Sequence, residues 1–356
     1  MGERIGRILS NAKGGTMCQE REPACRGQAA QRAFTTAGAI AGAVLLFGAM
    51  VAPLYAQTYP DRPIRFVLPF APGGTTDILG RIIGPRLADR LGQSVVPENR
   101  PGAGGNVGAE FIAKARPDGY SIALVSSGHS ISPSIYRQLN YDPIKDFAPV
   151  SLVARVHQVL LVRLSLPVKN LKELVAYAKA NPGKLNYGSS GIGTTTHLAP
   201  ELLKSLAKID IVHVPYKGAG PSLIGLLGGE VDILVTAIPT SLSQIEAGKV
   251  RALAVLGNER AVALSSVPTA KEAGINNLEV PIWYGILAPA GTPRNIVNRL
   301  SAEWVKIAAM PDTSEKMQKA GGEPISSTPE QFLELIKADI VLWAKVIKEA
   351  NIPKID

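Results

Sequence analysis

Apolar residues in the first half of the chain follow two patterns, namely short continuous runs and longer stretches with helical spacing. Short apolar runs at residues 64–68, 95–96 and 122–125 have the length and composition of buried strands. The stretches between them, residues 78–91 and 107–115, repeat apolar residues at helical spacing. This βαβαβ order predicts a parallel sheet covered by helices.

The same alternation resumes further along the chain. Apolar runs at residues 159–162, 185–187, 211–214, 231–235 and 250–256 predict strands, and the stretch 171–179 and a segment from about residue 197 predict helices. From residue 330 an apolar stripe at helical spacing predicts a C-terminal helix packed on the rest: Phe332, Leu335, Ile336, Ile340, Trp343 and Ile347. The sequence therefore predicts a second α/β unit.

The N-terminus has the pattern of a secretory leader. Six basic residues precede an uncharged, apolar run at residues 37–53: Arg4, Arg7, Lys13, Arg21, Arg26 and Arg32. Leu54-Tyr55-Ala56 before Gln57 resembles a cleavage site, so we expect an exported protein cut after Ala56. Translation from Met17, or retention of the run as a membrane anchor, are the alternatives.

Composition agrees with export of a two-domain protein. The chain has 356 residues and two cysteines, Cys18 and Cys25, and both lie in the leader. The exported chain is therefore expected to hold no disulfide and no cysteine metal site. About 300 residues remain, which suits two domains of ordinary size.

The charge of the exported chain is mildly positive. The leader carries six of the 38 basic and three of the 29 acidic residues, so the formal charge falls from +9 to +6 on cleavage. The basic residues are scattered, which argues against a nucleic-acid partner. The positive net charge is compatible with a negatively charged solute.

A turn rich in glycine and hydroxyl residues follows the first predicted strand. Residues 69–77 read Pro-Phe-Ala-Pro-Gly-Gly-Thr-Thr-Asp and lead into a predicted helix. Such a turn can direct free backbone N–H groups at an anion. The alternative is an ordinary connection in which Thr75 or Thr76 caps the helix and Asp77 complements its dipole.

A second glycine cluster, residues 100–108, resembles a dinucleotide fingerprint but misses it by one residue. The G-x-G-x-x-G pattern requires glycine where Val107 stands. A nucleotide site is therefore not supported, and a tight turn beside a ligand cleft fits better.

A third cluster, residues 187–197, joins a strand to a helix and supplies several hydroxyls and free backbone donors. It is suited to holding a carboxylate, although local capping by its threonines, with His197 only packing, is the alternative. It is not a hydrolase nucleophile turn, because the fifth position from Gly188 is Ile192 and G-x-S-x-G is not matched.

The segment 126–132 closes the strand at 122–125, at the end where open α/β sheets bind ligands. The chain has four histidines, His129, His157, His197 and His213, and none stands at metal-ligand spacing from another. We therefore expect structural histidines, no metal site and no cofactor.

Taken together, these turns resemble the substrate-binding proteins of tripartite tricarboxylate transporters, also called the Bug family of periplasmic receptors. The resemblance covers residue 59 to the C-terminus. It is strongest at six ordered motifs: YPDRPIR (59–65), PGGTTD (72–77), ENRPGAGG (98–105), VPYKG (214–218), AGKVRALA (247–254) and LAPAGTP (287–293).

The resemblance implies a periplasmic-binding-protein-like α/β fold of type II. Two α/β domains would be joined by two crossing strands, with the ligand cleft between them. The first domain would comprise residues 57–157 and 282–356, and the second residues 158–281. The C-terminal helix would pack on the first domain.

The resemblance also implies a set of ligand-binding residues at these turns. In the first domain they are Phe70, Gly74, Thr75, Asp77, Ser126, Ser127, His129 and Ser130. In the second domain they are Ser189, Thr194, Thr195, His197, Tyr216, Ala237 and Pro239. The turn at residues 194–197 would hold a carboxylate, and the turns of the first domain would hold the other end of the ligand directly or through water.

Two positions depart from the family pattern. Members often carry an acidic-amide pair near Thr236 and Ala237, where this chain is apolar, and asparagine is common at the position of Ser130. These differences suggest a less polar far end of the pocket.

The implied function is that of a periplasmic, monomeric solute-binding protein that catalyses no reaction. It would close on a small carboxylate (a di- or tricarboxylate, an acidic amino acid or an aromatic acid) and deliver it to the subunits of an inner-membrane transporter. A periplasmic sensor that presents the same kind of ligand to a signalling partner shares the fold and is one alternative. An exported hydrolase, using a serine with His129 or His197, is the other, and it lacks a nucleophile motif.

Overall fold

The computed structural model describes residues 59–350 and 352–355. All of them belong to one compact unit, residues 57–356. The predictions that concern the leader, its two cysteines, the start at Met17 and the cleavage after Ala56 lie outside the described residues. Within residues 59–350, no helix has both the length and the apolar character that crossing a membrane requires.

The first sheet begins with the predicted βαβαβ unit. Its elements are β1 (Ile64–Leu68), α1 (Thr75–Leu91), β2 (Val95–Asn99), α2 (Asn106–Ala113), β3 (Ser121–Ser126) and α3 (Gly128–Ile135). β1 lies between β2 and β3 and pairs with both in parallel. Four of its five residues are buried, as expected for a central strand with both faces covered.

Three further strands complete this sheet: β4 (Phe147–Val156), β10 (Ile282–Pro289) and β11 (Gly322–Pro324). They pair antiparallel, and the sheet order is β11-β4-β10-β3-β1-β2. Three helices accompany them: α8 (Arg294–Ala308), α9 (Pro311–Lys319) and α10 (Pro329–Glu349). We call the part that carries this sheet lobe I.

The second sheet lies in the middle of the chain, and we call the part that carries it lobe II. Its strands are β5 (Gln158–Arg163), β6 (Asn186–Ser189), β7 (Val212–Pro215), β8 (Ile233–Ala237) and β9 (Val250–Val255). Its helices are α4 (Leu171–Ala180), α5 (Thr195–Ala207), α6 (Ala219–Gly228) and α7 (Ile238–Glu246). The sheet order is β7-β6-β8-β5-β9, with β7, β6 and β8 parallel and β5 antiparallel to both its neighbours.

The chain passes between the lobes twice, at adjacent places. It leaves lobe I where β4 ends at Val156 and β5 begins at Gln158, and it returns at Ile282, which pairs with Val156. The buried Gln158 side chain donates a hydrogen bond from Nε2 to the carbonyl of Val280, 2.8 Å away. This bond ties the two passing segments together at one edge of the cleft.

The C-terminal helix α10 packs on both lobes, whereas the resemblance places it on the first domain. Phe332 and Ile336 pack into the core of lobe I. Trp343 and Ile347 belong to a cluster formed mainly by residues of lobe II, such as Leu198. The helix is 21 residues long, so the two ends of its apolar stripe reach different cores.

Candidate functional site

A cavity lies between the lobes, at the carboxyl ends of strands from both sheets. Thirteen residues line it: Phe70, Gly74, Thr75, Thr76, Ser126, Ser190, Thr194, Thr195, Thr196, Ala219, Ala237, Ile282 and Tyr284. Ligands of open α/β sheets bind at such strand ends, so the position favours a binding site.

One wall of the cavity is the N-terminus of α1. Gly74 precedes the helix and has no side chain with which to cap it. The N–H groups of the first turn, at the end of the helix next to the cavity, therefore have no side-chain acceptor. The Thr75 hydroxyl lies 2.8 Å from that of Thr240 in lobe II. Tyr284 lines the cavity together with Thr75 and Thr76, and burial raises its pKa above the usual range, so it stays a neutral phenol.

Asp77 supports this turn from behind and does not line the cavity. Its carboxylate accepts hydrogen bonds from Gly73 N at 3.1 Å, Asn99 Nδ2 at 3.1 Å and Arg81 Nε at 3.0 Å. Burial opposes ionisation of Asp77, but the bonds from Arg81, Gly73 and Asn99 outweigh it and lower its pKa below the usual value. The ionised side chain therefore fixes the shape of the turn.

The opposite wall is the turn that leads into α5, residues 189–196. Its hydroxyls hold the turn together: Ser189 Oγ accepts from Gly191 N at 3.1 Å and Thr194 Oγ1 donates to Gly191 O at 2.6 Å. Thr196 Oγ1 accepts from Ser190 N at 2.9 Å. Thr195 takes no part in these bonds, lines the cavity and is 4% exposed. Its hydroxyl is thus placed to bind a ligand.

The electrostatics of the cavity come from neutral groups. Among the described residues, none that lines it has a charged side chain. The N-termini of α1 and α5 enter it from opposite lobes, and Thr194 gives α5 no side-chain cap either. Each helix N-terminus carries a partial positive charge and free N–H donors. The cavity therefore suits an anion held by hydroxyls and backbone N–H groups.

Two histidines lie behind the α5 turn. The rings of His197 and His213 stack at 4.3 Å, and His213 also stacks on Tyr187 at 4.8 Å. Burial lowers the pKa of His197 to about 4 and that of His213 to about 3, so both are neutral at pH 7. His213 Nε2 lies 2.7 Å from Ser189 Oγ, but Ser189 is fully buried. The pair orients the turn and offers no exposed nucleophile.

His129 lies in the lobe I core beside the cavity. Its Nε2 must carry the proton, because it lies 2.9 Å from the carbonyl of Pro143. The ring packs against Tyr141 and Phe147, and burial lowers its pKa to about 4. Its neighbours Ser127 and Ser130 are fully buried as well.

The structure gathers seven of the fifteen predicted site residues at the cavity surface: Phe70, Gly74, Thr75, Ser126, Thr194, Thr195 and Ala237. The other eight are absent from its lining: Asp77, Ser127, His129, Ser130, Ser189, His197, Tyr216 and Pro239. Of these, Tyr216 bonds through its hydroxyl to Glu230 at 3.0 Å, and Pro239 opens α7.

Six lining residues are not among the fifteen. Thr76, Ser190 and Thr196 stand inside the glycine-rich turns, so the argument that selected neighbouring hydroxyl residues applies to them as well. Ala219 directly follows the VPYKG motif, whereas Ile282 and Tyr284 belong to a segment without a turn motif. In the described ranges, no group of three histidine, cysteine, aspartate or glutamate residues is arranged to hold a metal ion.

Comparison with known protein families gives one clear match. Residues 79–352 match the sequence model of the tripartite tricarboxylate transporter family receptor. The protein BugT of Bordetella pertussis is 36% identical over 319 residues, which cover 88% of this chain and 97% of BugT.

Solved structures with the same fold include carboxylate complexes. The R. palustris protein Rpa4515 with adipate is 38% identical with a TM-score of 0.81, over 83% of this chain and 100% of that one. MatC (Rpa3494) of Rhodopseudomonas palustris with bound malate is 34% identical with a TM-score of 0.78, over 81% of this chain and 100% of MatC. Both neighbours hold organic acids.

Proposed function

Because the chain belongs to the tripartite tricarboxylate transporter receptor family, whose members are periplasmic binding proteins and not enzymes, we propose that it captures a small carboxylate between its lobes. We propose further that it delivers this solute to a tripartite membrane transporter. The observation that carries the proposal is the cavity's lining of neutral donors at two helix N-termini.

Such donors suit a carboxylate, which is negatively charged and only accepts hydrogen bonds. Hydrogen bonds to an ionised acceptor are about twice as strong as neutral ones, and each helix N-terminus adds ~0.3–1 kcal/mol for an anion near it. A receptor of micromolar affinity has about 8 kcal/mol of net binding free energy. A few such bonds with a well-fitting cavity therefore suffice without an arginine.

The acids bound by the two structural neighbours support this solute class. Adipate and malate both carry two carboxylates, and both proteins align with nearly the whole described part of this chain. A ligand with a carboxylate at each end would meet the α1 turn with one and the α5 turn with the other. The apolar side chains of Phe70, Ala237 and Ile282 would then contact the part between them.

A thermal-shift screen of the exported protein tests the proposal, because a bound ligand raises apparent stability. Adipate, malate, a tricarboxylate, acidic amino acids and aromatic acids form the test set, with a neutral sugar and a purine base as controls. We expect at least one acid to raise the melting temperature and the controls to leave it unchanged. A shift with a neutral solute alone would rule out the carboxylate site.

Delivery and export need measurements of their own. Deleting the gene should abolish uptake of the identified acid, and restoring the protein should recover it; uptake that persists would refute delivery. N-terminal sequencing of the periplasmic protein should begin at Gln57, and light scattering after size exclusion should give the mass of one chain.

A further inference from the structure

Beside the cavity, the two lobes meet backbone to backbone. Ala71 N in lobe I donates a hydrogen bond to Lys217 O in lobe II at 3.2 Å. Gly220, in the first turn of α6, packs on the main chain of Pro72 and Gly73. We call this contact the first seam.

The first seam leaves no room for a side chain at Gly220. A Cβ built there would lie 2.5 Å from the carbonyl oxygen of Pro72 and 3.1 Å from the carbonyl carbon of Gly73. Both are main-chain atoms of the opposite lobe, so a different rotamer cannot relieve the overlap. Ordinary contacts of this kind lie near 3.4–4 Å. A methyl group at Gly220 would therefore hold the lobes about 1 Å further apart at this point.

A second seam lies on another side of the cavity. Gly104 of lobe I packs on Gly191 and Ile192 of lobe II, and a Cβ on Gly104 would overlap the carbonyl oxygen of Ile192. A Cβ on Gly191 would lie 3.2 Å from Gly104 Cα. Tyr136 of lobe I also donates from its hydroxyl to Ile192 O at 3.1 Å. The lobes thus approach each other at glycine residues in two separate places.

We propose that Gly220, which does not line the cavity, determines how closely the lobes meet and therefore how tightly the receptor holds its solute. The proposal rests on the proposed receptor function. A ligand that bridges two lobes binds through the closed form, and its apparent affinity falls in proportion to the population of that form. A side chain that clashes only in the closed form lowers the population of that form. Such a residue therefore changes the apparent affinity without touching the ligand.

The helix that carries Gly220 supplies a matched control. Gly228, at the other end of α6, has no atom within 4 Å of the position of an added Cβ. Neither residue has a positive φ, so alanine fits the backbone at both positions and is the better helix former. Gly220→Ala and Gly228→Ala therefore differ in the contact between the lobes and not in their effect on α6.

The first measurement is calorimetric titration of the exported protein and the two variants with adipate and with malate. We expect Gly220→Ala to bind the acid that the wild type binds about tenfold more weakly or worse, because fewer molecules reach the closed form. Gly228→Ala should stay within about twofold of wild type. Equal affinities in the two variants overturn the proposal.

A second experiment measures how readily the two lobes close in the absence of a ligand. The hydroxyl oxygens of Thr75 and Thr240 lie 2.8 Å apart across the lobes, so the double variant Thr75→Cys and Thr240→Cys should form a disulfide under mild oxidation by copper phenanthroline. The exported protein is expected to contain no other thiol, because Cys18 and Cys25 lie in the leader.

Adding Gly220→Ala to the double-cysteine protein should slow formation of this disulfide about tenfold. Adding Gly228→Ala should leave the rate unchanged. Equal rates in the two variants, or no disulfide in either, overturn the proposal. If the wild type binds no acid in the screen, the receptor proposal fails on its own, and the disulfide rates still decide the role of Gly220.

Discussion

The hydroxyl oxygens of Thr75 and Thr240 lie 2.8 Å apart, although 165 residues separate them along the chain. Thr75 begins α1 in lobe I and Thr240 lies in the first turn of α7 in lobe II. Both are buried, at 2% and 6% exposure. The bond joins the lobes beside the cavity, so it requires the two lobes to lie as close together as they do here.

Thr240→Val should weaken solute binding about three- to tenfold, because the closed form loses one buried hydrogen bond worth ~0.5–1.5 kcal/mol. Thr240 does not line the cavity, so the effect would come from closure. Calorimetric titration measures it. The matched control is Thr313→Val: this threonine is fully buried on α9 and its hydroxyl has no partner among the described residues. The control should bind like wild type, and equal losses in both variants would contradict the prediction.

Thr195→Val should weaken binding about tenfold or more while the melting temperature of the free protein stays nearly unchanged. The Thr195 hydroxyl lines the cavity and is not used to hold the turn. A hydrogen bond to an ionised group contributes ~1.5–3 kcal/mol, which valine cannot supply. Titration and a thermal melt together test this.

Thr196→Val is the comparison variant for Thr195→Val in both the titration and the thermal melt. Its hydroxyl accepts the N–H of Ser190, so its loss should lower the melting temperature as well as the affinity. If Thr195→Val behaved like Thr196→Val, Thr195 would be a structural residue of the turn.

Local sequence was sufficient to locate the turns of the site. Glycines and hydroxyl residues between a strand and a helix mark positions such as Thr75 and Thr195 without any knowledge of the fold, because the signal is local. The same reasoning could not separate residues that face the cavity from those behind it. Ser189 and Thr195 stand in one turn, yet the first is fully buried against His213 and the second lines the cavity.

The remaining wall depends on strands that the apolar pattern did not predict. β4 contains Pro149 and polar residues at Ser151 and Arg155, and β10 carries Gly285 in its middle, so neither shows a simple strand pattern. Tyr284 reaches the cavity because β10 pairs with Ser126 on one side and Ala154 on the other. Such long-range pairing leaves no mark in the local sequence.

Acids with an ammonium group should bind much more weakly than acids of the same length without one. Among the described residues, none lining the cavity is acidic, and the nearby Asp77 already accepts bonds from Gly73, Asn99 and Arg81. A buried, unpaired ammonium costs several kcal/mol, which corresponds to ~100-fold or more in affinity. Succinate against aspartate, and glutarate against glutamate, are the pairs to compare in the thermal-shift assay. Equal shifts within a pair would contradict this prediction.

The free energy of unfolding should fall as pH drops from about 6.5 towards 4, in part because of His129. In the unfolded chain a histidine binds a proton near pH 6.5, whereas burial lowers the pKa of His129 to about 4 in the folded protein. Between these values the unfolded state holds more protons, so stability rises with pH, by up to ~1.4 kcal/mol per pH unit for one proton. The contribution is complete above pH 6.5 and is lost as pH falls through about 4. His129→Gln keeps a donor for Pro143 O but cannot titrate, so its unfolding free energy, measured in urea at several pH values, should fall less steeply; an unchanged slope would contradict this role.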